Sequence, residues 1–135
     1  MFSIDHLGVA VKSLAQAKEF YRAMGLEVVG EETVAEEKVK VAMLPVGESR
    51  IELLEATSPD SAVARFIAKR GEGLHHVALR VDDLAGTVER LKQKGAKFVS
   101  EDIKVGAGGH LYVFLHPSST GGVLLELCED PPEGV

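Results

Sequence analysis

A single cysteine among 135 residues is the first constraint. Cys128 alone can close no intrachain disulfide and supplies no CxxC metal or redox motif. Its place in the apolar run GVLLELC reads as a buried, inert thiol. No apolar run reaches the roughly 18 residues that a membrane-spanning helix needs, so a membrane role is not expected. The opening residues MFSIDHLGVAVKSL hold no basic segment followed by an apolar core. They carry no visible targeting signal, and the expected compartment is the cytoplasm. Basic residues are also in deficit. A net charge of −6 argues against nucleic acid, whose phosphates need a concentrated Lys/Arg surface. A phosphorylated small molecule needs only a local basic patch and stays open. There is no P-loop, no GxSxG elbow and no nucleophile–base pairing. The stretch Gly106-Ala107-Gly108-Gly109 lacks the following helix of a dinucleotide site, although Gly108 and Gly109 can offer backbone amides to a carboxylate or phosphate.

What is present suffices for one compact domain. Hydrophobic residues make up 45% of the chain, enough for a packed core. Laying the sequence on itself exposes its organisation. Residues 4–29, IDHLGVAVKSLAQAKEFYRAMGLEVV, align without a gap to residues 74–99, LHHVALRVDDLAGTVERLKQKGAKFV, at an offset of 70 (74 − 4). His6 falls on His76, Val11 on Val81, Leu14 on Leu84, Ala15 on Ala85, Glu19 on Glu89, Gly25 on Gly95 and Val29 on Val99. The later parts match more loosely. The run RIELL at 50–54 resembles LLELC at 124–128, so Glu52 corresponds to Glu126 at an offset of 74 (126 − 52). The second copy has gained residues in its glycine-rich turns.

Each copy reads as strand, helix and three strands. Residues 4–11 alternate with period two, setting Leu7, Val9 and Val11 on one face and His6, Gly8 and Ala10 on the other. Ser13 caps a helix whose apolar residues Leu14, Ala17, Phe20, Tyr21 and Met24 recur at helical spacing, and Gly25 ends it. Asp83, the stripe Leu84, Val88 and Leu91, and Gly95 repeat this pattern. Strands are expected near 26–30, 38–45 and 49–55, then near 97–100, 110–116 and 122–129. Between the copies, Ser58 as cap, Pro59 at the first helical position and Gly71 as stop predict a helical linker. The expected architecture is α+β: one domain over 1–135, with βαβββ modules at 1–57 and 72–135 and a linker at 58–71. The two modules together form a curved mixed sheet around a metal-binding cavity.

The repeat singles out two histidines and two glutamates. His6, Gly8 and Ala10, like His76, Ala78 and Arg80, face away from the helix side of the first strand. A histidine followed by small side chains makes a poor core face and a good cavity wall. Glu52 and Glu126 sit between apolar residues in the last strands, where a carboxylate is costly unless paired or bound to a cation. A lone strand histidine is more often a hydrogen-bonded core residue, and a lone strand glutamate more often solvated. Recurrence of both types at matching places points instead to a shared ion. Two imidazoles and two carboxylates suit a divalent transition metal and leave coordination positions open. His75 points to the opposite face and reads as structural; His110 and His116 lie at turn edges. Glu31, Glu32, Glu36 and Glu37 read as a solvated loop.

The duplicated βαβββ chain, with IDHLGVAV opening one half and GLHHVALRV the other, resembles the vicinal oxygen chelate superfamily along its whole length. SPDSAVARFIAKRGEGLHHVALRVDD (58–83), VGAGG (105–109), FLHP (114–117) and GGVLLEL (121–127) are most similar to the methylmalonyl-CoA epimerases. The resemblance implies a metal held by His6, Glu52, His76 and Glu126, commonly cobalt or manganese, with nickel or zinc as alternatives. It also implies an acyl-CoA substrate and a homodimer. Some members carry Gln where Glu52 stands. The implied reaction inverts the carbon between a thioester and a carboxylate through an enolate, with an acid/base on each face. Glu126 resembles one of these groups. The second is a Glu that aligns with Lys40 here, so Lys40, Glu37 or a water is left to serve. The competing readings are a glyoxalase I-like isomerase and a metal-free drug-binding protein of the same fold.

Overall fold

The computed structural model describes residues 2–131. The chain divides into two compact units, one of residues His6–His75 and one of Met1–Asp5 with His76–Val135. Each is a small α+β body with a mixed sheet.

In the first unit, β1 (Ser3–Ala10, which enters the unit at His6) runs into α1 (Leu14–Met24). Three strands follow, β2 (Gly30–Val34), β3 (Val39–Val46) and β4 (Ser49–Ala56), then α2 (Ala62–Arg70). The strand order is β2-β3-β4-β1. β4 runs antiparallel to β3 and parallel to β1. The Ser13 side chain accepts the Gln16 amide, and Gly25 closes α1 in the left-handed region at φ 110°. Leu14, Ala17 and Tyr21 pack with Val9, Val11, Ala42, Leu44 and Leu53 on the α1 side of the sheet. Ala10, Val39, Val41 and Leu54 cover the other side with Val63, Phe66 and Ile67 of α2.

The second unit repeats the plan with β5 (Gly73–Arg80, which enters at His76), α3 (Leu84–Gln93), β6 (Lys104–Val105), β7 (Leu111–Leu115) and β8 (Leu125–Glu129). Its order, β5-β8-β7-β6, again sets the first strand parallel to the last. Leu84, Val88 and Leu91 of α3 pack on Val81, Val113, Leu115 and Leu127. Cys128 is buried, with Sγ 3.6 Å from the Leu79 carbonyl. Among the described residues no helix is long and apolar enough to cross a membrane.

Several sequence expectations are corrected. Phe20 and Met24 do not join the buried stripe of α1; they are 63% and 61% exposed. Leu14, Ala17 and Tyr21 already fill the contact arc, and Phe20 lies about 100° around the helix from Tyr21. The linker helix is capped by Ser61, whose hydroxyl accepts the Ala64 amide, because Ser58 is spent on Asp60 in the preceding turn. Lys38 and Ser58 together hold the Asp60 carboxyl down to about 2. Only part of the acidic stretch is a loop: Glu36 and Glu37 lie in the turn after β2. Glu31 and Glu32 lie in edge strand β2, where charge discourages pairing with another chain. The strand expected at 97–100 reduces to a single bridge between Phe98 and Leu115, and pairing resumes at Lys104–Val105.

One repeated device was not foreseen. The Glu55 carboxylate accepts the Leu14 amide at 2.7 Å, and that of Glu129 accepts the Leu84 amide at 2.9 Å. Each last strand thus ties down the first residue of its own unit's helix, where exposed N–H groups and the helix dipole favour an anion. Glu55→Ala should lower stability by about 1–2 kcal/mol in urea unfolding, as loss of a charged helix cap does. An unchanged midpoint would show that water replaces it without loss.

Candidate functional site

Parallel pairing of β1 with β4 sets His6 beside Arg50, Gly8 beside Glu52 and Ala10 beside Leu54. These six share one face of the sheet. Because Gly8 has no side chain, the Glu52 carboxylate can lie over the neighbouring strand. Its Oε2 stands 3.3 Å from His6 Nδ1, with both residues buried. Arg50, two residues earlier on the same face, donates to that oxygen from Nη2 at 2.9 Å and Nε at 3.2 Å. The guanidinium, which alternation had not singled out, offsets the cost of placing the carboxylate there.

The second unit builds the same pair. Ala78 lies beside Glu126, and the Glu126 Oε1 is 3.0 Å from His76 Nε2. Phe114, opposite Glu126 on β7, meets the His76 ring edge-on at 5.2 Å between centroids and fixes its plane. Leu124 stands where the first unit has Arg50. Arg80, on the face of His76 and Ala78, reaches the buried Asp5 instead, Nε to Oδ1 at 3.2 Å.

The donor set and spacing within each pair fit a transition ion. Two donors on one such ion, each about 2.1 Å away and at right angles, are about 3.0 Å apart. The observed separations are 3.0 and 3.3 Å. Each pair is a close imidazole–carboxylate contact within one unit.

Other sequence candidates fall elsewhere. Lys40 is exposed and pairs with Glu55, not Glu52; strand alternation turns it to the α1 side of the sheet, away from His6 and Glu52. Glu37 lies in the β2–β3 turn, beyond Val39, which is itself roughly 14 Å along the strand from the Met43 row that faces Glu52. Neither reaches the His6–Glu52 pair. Gly108 and Gly109 adopt φ of 71° and 78° in a tight turn, but the Gly109 amide donates to the Gly106 carbonyl, so it is not available to an anion. His75 packs edge-on against Phe66. His116 caps a short 3-10 turn by accepting the Ser118 amide, and His110 Nδ1 stands 3.3 Å from Asp130.

Comparison with known proteins places the fold. The sequence profile of the glyoxalase/bleomycin resistance protein/dioxygenase superfamily matches residues 5–114. Bovine mitochondrial methylmalonyl-CoA epimerase is 40% identical over 126 residues, 92% of this chain and 72% of its own length. The crystal structure of methylmalonyl-CoA epimerase from Mycobacterium tuberculosis superposes with a TM-score of 0.92 at 35% identity, covering 96% of this chain and 89% of the other. A variant of the Streptomyces coelicolor epimerase in complex with 2-nitronate-propionyl-CoA gives a TM-score of 0.91 at 39% identity, covering 94% and 93%.

Proposed function

Since the chain belongs to the glyoxalase/bleomycin resistance protein/dioxygenase superfamily, we propose that it is a methylmalonyl-CoA epimerase, working with a divalent ion held by His6, Glu52, His76 and Glu126. The observation that carries this reading is the repeated pair: a buried imidazole within 3.0 to 3.3 Å of a buried carboxylate, once in each unit. The named epimerases among its relatives supply the substrate class. When bound, a cobalt- or manganese-type ion supplies Lewis-acid stabilisation of negative charge on substrate oxygens.

The chain's own residues divide the remaining work. Arg50 orients Glu52 through two hydrogen bonds to one oxygen, leaving that carboxylate the fixed member of the set. Glu126, the corresponding carboxylate of the second unit, takes the proton from the carbon between thioester and carboxylate. His76, held against Phe114, keeps Glu126 oriented. Inversion requires a proton delivered to the opposite face of the planar enolate. With Lys40 turned to the other side of its sheet and Glu37 in a distant turn, that proton is assigned to water.

The test is exchange. Protein stripped with a chelator and reloaded with cobalt or manganese, then incubated with methylmalonyl-CoA in D2O, should wash deuterium into the α-position and interconvert the two epimers. Chelation should stop both processes and reloading should restore them. Failure of the reloaded protein to exchange, together with turnover of a glutathione hemithioacetal, would transfer the assignment to a glyoxalase-type isomerase.

A further inference from the structure

The carboxylate oxygen that faces His6 already has a cation on it. Glu52 Oε2 is 3.3 Å from His6 Nδ1, and the same oxygen accepts both hydrogen bonds from Arg50, from Nη2 at 2.9 Å and from Nε at 3.2 Å. The side chains are only 8% and 24% exposed, for Glu52 and Arg50 respectively, so water screens this pair poorly. A ligand oxygen lies about 2.1 Å from a transition ion. An ion held by Oε2 would therefore have the Nη2 nitrogen within about 5 Å, the sum of that bond and the 2.9 Å contact.

Arg50 and such an ion serve one purpose and oppose each other. In the metal-free protein a buried carboxylate needs a positive neighbour. Arg50 supplies it from two places back on the same face of β4. Once an ion sits on Oε2, the guanidinium is a like charge beside it and shares the lone pairs of its ligand. The first effect keeps the empty site built. The second weakens the hold on the ion and leaves more of its charge for other oxygens.

We propose that Arg50 is a stand-in cation for the empty metal site, holding Glu52 in place without an ion and lowering the affinity of the site for one. This rests on the reading of Glu52 as a metal ligand. A purely mechanical role has the opposite sign, because losing a support that only orients Glu52 weakens ion binding.

Cobalt affinity and melting temperature, measured on the full-length chain stripped with a chelator and then titrated, separate the two roles. Arg50→Met should bind cobalt at least about tenfold more tightly than the parent, the effect of one poorly screened unit charge. Its metal-free form should melt at least about 5 °C lower, and saturating cobalt should remove most of that difference. Arg50→Lys keeps the cation and should bind cobalt much as the parent does. Arg50→Met with Glu52→Gln removes both charges and should lose both the gain in affinity and the low melting temperature. If Arg50→Met does not fold at all, the double variant decides: it folds if an uncompensated carboxylate was the cause, and its failure to fold counts against the proposal. Cobalt bound by Arg50→Met no more tightly than by the parent, or a double variant that melts as low as the single one, would overturn the proposal and leave the ligand set standing. A parent chain that binds no cobalt would instead remove Glu52 as a ligand, and this inference with it.

Discussion

His76→Ala should cost at least about a thousandfold in kcat/KM for the proposed epimerisation, because the proposed ion, worth several kcal/mol of charge stabilisation, loses one of its ligands. His76 is buried, and its Nε2 is 3.0 Å from Glu126. Truncation removes one donor and also frees Glu126 to reorient. The Phe114 ring loses its edge-on neighbour, so melting temperature should fall too. That drop alone decides nothing, since a merely structural histidine would also produce it. Elemental analysis separates the two roles. A metal-binding His76 predicts protein that purifies with the ion largely missing and with deuterium exchange lost. A folded variant that keeps both its metal and its rate would sink the assigned site.

Glu126→Gln should leave the ion in place but slow proton transfer by about 10²- to 10⁴-fold, the usual reach of one acid/base group. The amide keeps an oxygen donor at the same position but is a far weaker base. Glu52→Gln provides the contrast. Its oxygen already accepts two bonds from Arg50, and an amide oxygen can accept the same bonds, so a loss of no more than about tenfold is expected, far short of the Glu126 effect. Metal content should be close to that of the parent in both variants. Equal losses in the two would show that both carboxylates act only as ligands and that the proton passes through another group.

The sequence reveals these residues only through its duplication. No short motif joins His6 to Glu52 or His76 to Glu126, and each residue alone looks like an ordinary strand position. Alternation correctly separates the faces of β1 and β5, because a period of two is a local property of extended chain. The caps Ser13 and Asp83 are legible for the same reason, as each meets an amide three residues on. Arg50, Glu55 and Glu129 were passed over because their partners are set by strand pairing and helix docking, which local pattern does not encode. Phe20 and Met24 were misassigned because helical spacing shows which residues can share an arc, not how wide an arc the sheet will cover. The strand expected at 97–100 was overcounted since Phe98 and Val99 have strand propensity while only the bridge to Leu115 forms. Lys40 and Glu37 are a different case. Alignment supplied Lys40, with Glu37 offered as a substitute, and the register of β3 with β4 turns Lys40 to the α1 side of the sheet and leaves Glu37 in the turn before β3.

Placing the imidazole in the first strand and the carboxylate in the last has a consequence for biogenesis. Within either unit the two donors are separated by a helix and two intervening strands, so a nascent or denatured chain has no preformed claw for a cation. The long loop must close before the donors meet. Capture of the proposed ion is therefore expected to follow strand pairing. Refolding rates should be insensitive to cobalt in the medium, while the unfolding rate of the loaded protein should fall as the ion is retained.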